Sequence, residues 1–150
     1  MINYPAIWSE VESRFAGDIH SIHGPEHWRR VELVGLKIAR LLESAGKHAD
    51  RDVIRLFAVL HDSCRLDDGI DPDHGRRAAI YAEEMRGRLF DIEDARFELL
   101  TQAVAWHADG FTVSDLTIGA CFDADRMDLR RLGIRPDPAY ISIPEMRAKL

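Results

Sequence analysis

The chain has 150 residues, 46% hydrophobic and 31% charged, a balance ordinary for a globular protein built on one core. Its net charge of −6 argues against long nucleic acid as a partner, because such a surface repels phosphate backbones and releases no counterions. No apolar run approaches the roughly 18 residues of a membrane span, and the first residues lack the basic segment and apolar core of a secretory leader; a single cytoplasmic domain over residues 1–150 is expected.

Nearly every segment repeats at helical period and none alternates at period two, which predicts an all-α bundle of about six helices. The first runs roughly from Pro5 to Ala16, with Ile7, Val11 and Phe15 inward and Pro5 in its first turn. The second runs from Pro25 to near Gly46, a glycine suited to a C-terminal cap, with Val31, Val34, Ile38 and Leu41 as its stripe. The third, Asp50 to Cys64, turns Val53, Ile54, Phe57 and Leu60 inward. The fourth starts after Asp73, a good N-cap, and carries Ala78, Tyr81 and Met85. The fifth starts at Asp91 with Phe97, Leu100 and Val104 inward. The sixth starts at Ser114 and carries Ile118, Cys121, Phe122, Leu129 and Leu132. Residues 134–150, rich in proline, read as an irregular tail that either packs on the bundle, covers a site or mediates a homodimer. Cys64 and Cys121 are expected as reduced, buried thiols.

Stepping along each stripe by three or four residues reaches polar groups. Val31 minus four is His27, Phe57 plus four is His61, and Ala58 plus four is Asp62. Ala78 minus four is His74, Val104 plus three is His107, and Cys121 plus four is Asp125. Residues three and four apart share a helix face, so all six point toward the interior of the valines and leucines. Any one histidine alone would read as a core residue with a hydrogen-bond partner. Two buried carboxylates are harder to place, because an unpaired buried charge is costly. One cation would resolve the set, and imidazole with carboxylate suits Mn, Fe, Co, Ni or Zn. Neighbours on a helix lie about 100° apart, so His61 and Asp62 reach one ion only near a helix end; Asp67-Asp68-Gly69 supplies that end.

A lone histidine (His27 in HGPEHWRRVE), an adjacent His61-Asp62 (FAVLHDSCR) and a distant Asp125 (FDADRMD) together resemble the HD-domain superfamily of metal-dependent phosphohydrolases. The resemblance spans about His20 to Gly133. It implies an all-α fold, metal ligation by His27, His61, Asp62 and Asp125, and hydrolysis of a small phosphate ester by a water that the metal activates. Asp62 is the implied proton acceptor. His74 (DPDHGRRAA) and His107 (AVAWHADG) look like the family's extra histidines, which hold either a second metal or substrate phosphate, so one ion or two stays open.

Around these ligands, Arg65 and Arg126 are candidate phosphate contacts, since the guanidinium fork matches phosphate oxygens. His23 is placed to contact substrate or orient His27. Asp128, three residues beyond Asp125, is placed to orient a ligand or contact substrate, and Asp123 is expected at the surface or as a cap. Two other functions fit the same ligands: a di-iron oxygenase, as in some two-metal members of the superfamily, and a non-catalytic ligand-binding module.

Overall fold

The computed structural model describes residues 1–150 as an all-helical bundle without strands. The long helices are α1 (Tyr4–Arg14), α2 (Pro25–Ser44), α3 (Arg51–Leu60), α4 (His74–Met85), α5 (Asp94–Trp106) and α6 (Leu116–Met127). A short α7 (Pro144–Arg147) ends the chain. Each start has a local cause. Asn3, Asp50 and Asp115 cap α1, α3 and α6 by accepting a backbone N–H with their side chains, and Pro25 occupies the first turn of α2. Gly46 follows α2 with φ of +74°, the left-handed conformation that ends a helix at little cost for glycine.

α3 is largely enclosed: Val53, Ile54, Leu56, Phe57, Ala58, Val59 and Leu60 are all buried. It packs against α2, α5 and α6, so the residues at its C-terminal end lie deep among three other helices. α4 packs chiefly against α5. No helix is long and apolar enough to cross a membrane.

Several predicted boundaries move. α3 stops at Leu60, and residues 61–64 form turns, so His61 and Asp62 sit on the end of the helix that their joint use of an ion requires. α5 begins at Asp94, three residues after the predicted Asp91; residues 91–93 are not helical, and Glu93 before the first turn is extended. The sixth helix ends at Met127 and tightens into a 3₁₀ turn over Asp128–Leu132, which leaves Leu132 exposed. On α2 the inner stripe is rotated: Ala39 and Leu42 are fully buried, while Val34 and Leu41 are only half-buried. The tail packs on the bundle, burying Ile141, Ile143 and Met146.

Candidate metal centre

The C-terminal end of α3 brings His61 and Asp62 to the N-terminal turn of α2, which carries His27, and to α6, which carries Asp125. Ligand atoms from these four residues all lie within 4.8 Å of one another. His27 Nε2 is 3.1 Å from His61 Nε2, 3.1 Å from Asp125 Oδ1 and 3.3 Å from Asp62 Oδ2. His61 Nε2 is 3.4 Å from Asp125 Oδ1 and 3.5 Å from Asp62 Oδ2. A second group shares Asp62: His74 Nε2 and His107 Nε2 are 2.9 Å apart, and lie 3.1 and 3.3 Å from Asp62 Oδ1. Asp62 therefore turns one oxygen to each group.

Tautomers set what these ring nitrogens can offer. His61 Nδ1 donates to the carbonyls of Phe57 and Ala58, His74 Nδ1 to Asp71 O at 2.5 Å and His107 Nδ1 to Val104 O at 2.7 Å. His27 Nδ1 donates to Asp128 Oδ2 at 2.7 Å. A carbonyl or an ionised carboxylate only accepts, so each of these rings carries its hydrogen on Nδ1, and in a neutral ring Nε2 presents a lone pair. With the rings neutral, four lone pairs and two carboxylates face inward, an arrangement that positive charge stabilises, whether a proton on His27 or a metal ion.

Ligand spacing fits a transition metal. Two ligands about 2.1 Å from one ion, at right or tetrahedral angles, are roughly 3.0–3.4 Å apart, close to the separations found in both groups. The residues thus fit one ion in the first group and a second in the smaller group. Ionisation tells the same story. Burial opposes charge on His27, but the carboxylates of Asp125, Asp128 and Asp62 outweigh it and push its pKa up to about 10. Burial would raise Asp62 and Asp125, yet the surrounding imidazoles hold both carboxyls well below the usual range.

Asp128 is a supporting group. Its carboxylate receives His27 Nδ1 and, at 2.9 Å, Arg30 Nε, and it does not line the cavity beside the ligands. Of the two roles open to it from sequence, it takes that of orienting a ligand, which corrects its placement among substrate contacts. Asp123 is also corrected: it is fully buried, and its two oxygens accept the backbone N–H groups of Ser142 and Ile143 at 2.7 and 2.8 Å, pinning the tail.

A cavity of about 130 Å³ opens beside the ligands. Arg65, Arg126 and His23 all line it. Arg126 is nine-tenths buried; one of its terminal nitrogens donates to Tyr140 O at 2.7 Å and the other, Nη2, has no partner. Arg65 donates to Gly69 O, while its Nε lies 3.6 Å from Asp62 Oδ1 without a hydrogen bond. His23 Nδ1 is 3.4 Å from Asp62 Oδ2. Cys64 and Cys121 are free thiols in neither donor group.

Arg131, which sequence reasoning missed, also lines the cavity. It straps the His23 loop down by donating to Ile22 O and Asp128 O, both at 2.8 Å. Only its three-residue spacing from Asp128 was visible locally; its loop partner is 109 residues away. No family model, curated protein or solved structure matches the chain.

Proposed function

We propose that the chain is an HD-type metal-dependent phosphohydrolase acting on a small phosphate ester. The observation that carries this reading is the pair of ligand groups joined through Asp62, beside a cavity lined by Arg65 and by Arg126, whose Nη2 has no partner. His27, His61, Asp62 and Asp125 would hold one divalent ion, and Asp62, His74 and His107 a second. When bound, such ions supply a Lewis acid that lowers the pKa of water and offsets charge on phosphoryl oxygens.

The chain's own residues have separable tasks. Asp62 bridges the two groups, and ligation through both oxygens competes with the proton-accepting role implied by its sequence motif. His23 stands at the cavity wall outside both groups and is placed to hand a proton to the leaving oxygen. Arg65 and Arg126 would present donors to the phosphoryl oxygens, and the buried Nη2 of Arg126, which has no partner, gains most from such an acceptor. These donors favour an oxyanion as the bound substrate.

The test is phosphate release from a panel of small phosphate esters by protein loaded with Mn²⁺, Fe²⁺, Co²⁺ or Ni²⁺, alongside Asp62→Asn. Turnover by the wild type, with both metal and activity lost in the variant, is expected. No release from any ester, or full metal content and activity in Asp62→Asn, would overturn the proposal. Iron as purified together with O₂ consumption would move the reading to oxygenase chemistry.

A further inference from the structure

Six buried side-chain nitrogen or oxygen atoms lack a hydrogen-bond partner. Three are accounted for by ion pairs: Glu32 Oε2 and Arg55 Nε lie 3.5 Å apart, and Glu145 is engaged by Lys47 through its other oxygen. Arg65 Nε is likewise in an ion pair, 3.6 Å from Asp62 Oδ1, which leaves Arg126 Nη2 and the Tyr81 hydroxyl. Arginine can only donate, and an un-ionised tyrosine hydroxyl has a hydrogen to give. They line two cavities that share Arg65: the 130 Å³ space beside the ligands and a larger one of about 280 Å³.

The larger cavity lies between α1, α4 and the turn that follows α3. Val11 and Ile80 contribute apolar wall, while Arg14, Arg65 and Tyr81 contribute donors. Tyr81 is only 7% exposed, and it is un-ionised at neutral pH because burial pushes its hydroxyl pKa upward. Arg14 lies over its ring at 4.7 Å and makes no ion pair. Arg77, also on the wall, is already neutralised by Asp71 at 2.5 Å. One exposed carboxylate, Glu84, lines the same space.

We infer that this cavity is a second anion-binding subsite, taking a carboxylate or phosphate through Arg14, Arg65 and the Tyr81 hydroxyl, with an apolar fragment against Val11 and Ile80. A buried hydroxyl with no acceptor costs about 1–3 kcal/mol, and an anionic oxygen removes that cost while pairing Arg14. The 130 Å³ cavity has room for a phosphoryl group and little else; the larger one approaches the roughly 300 Å³ at which pockets begin to hold organic ligands. The anion has two possible sources. It is either the far end of a doubly anionic substrate that reaches past Arg65, an arm that rests on the phosphohydrolase reading, or a separate small anion.

The experiment is isothermal titration of the metal-loaded full chain with α,ω-alkanediol bisphosphates of increasing length, each against its monophosphate, and with inorganic phosphate. One length should bind at least about tenfold more tightly than its monophosphate, since a second linked contact acts at high effective concentration. That ratio should fall to about one in Arg14→Gln and in Tyr81→Phe. No length preference, but two phosphate-binding events in the wild type and one in Arg14→Gln, would support the subsite with a separate anion as its ligand. A single phosphate-binding event without length preference, or a preference that survives both substitutions, would overturn it. Binding needs no turnover, so an inactive protein would sink the phosphohydrolase reading while this subsite is still decided by titration.

Discussion

Gly75 is where the smallest change should do the most local damage. It is the second residue of α4, buried where α4 crosses α5. A Cβ added there would lie 2.7 Å from Val104 O and 2.9 Å from Ala105 O. Ordinary carbon–oxygen contacts are about 3.3–3.6 Å, so the shortfall is roughly 0.6 Å against backbone, which cannot rotate away as a side chain can. Alanine is worth about 1 kcal/mol over glycine inside a helix and less in the first turn, whereas overpacking costs about 1–3 kcal/mol, so the clash wins. Net of a gain of about 0.5 kcal/mol, Gly75→Ala should lower Tm by about 1–10 °C, taking roughly 2–4 °C per kcal/mol for a chain of this size. The clash also falls on the carbonyl that accepts His107 Nδ1, and beside His74, whose Nε2 is 2.9 Å from that of His107. The second ligand group should therefore weaken while His27, His61, Asp62 and Asp125 keep theirs. Thermal unfolding of the chelated protein reads the stability arm without any metal. On the proposed two-ion occupancy, elemental analysis of the reloaded protein should show stoichiometry falling from two ions toward one. A Tm equal to or above wild type, with both ions retained, would refute the reasoning.

Asp128→Ala should weaken metal binding at the first group by about 10–100-fold, because the Nδ1–H of a fully buried His27 loses the acceptor that orients the ring; titration calorimetry with Mn²⁺ checks this, and a change under twofold would count against it. Asp50→Ala should cost about 0.5–2 kcal/mol by removing the cap of the helix that carries His61 and Asp62. Burial would raise the Asp50 carboxyl, but the Arg96 ion pair and the N–H of Val53 hold it below its ordinary 3.8. Its contribution is thus fully present above pH 3.8 and lost as pH falls through the lower folded value, so the stability gap between wild type and variant should close in acid. A gap that widens on acidification in chemical denaturation curves would contradict the assignment.

Sequence by itself determined the all-α architecture and the faces on which His27, His61, Asp62, His74, His107 and Asp125 project. Both follow from one local fact: a period near 3.6 reports which side of a helix meets apolar neighbours, whatever those neighbours are. Helix ends such as those at Asp50 and Gly46 were legible for the same reason, since a helix end is satisfied by residues adjacent to it. Direction within the interior is another matter. Asp123, Asp125 and Asp128 lie within six positions, yet one pins the tail, one faces His27 and His61, and one stands behind the His27 ring. What separates them is the path of the tail and the switch from α-helix to 3₁₀ after Met127, and both are set by packing against residues far away in sequence. Tertiary structure alone decided that Asp62 turns one oxygen to each ligand group, that Arg131 reaches 109 residues back to hold the His23 loop, and that Tyr81 is left without an acceptor. Each depends on how helices cross and where loops return, and helical periodicity carries no record of either.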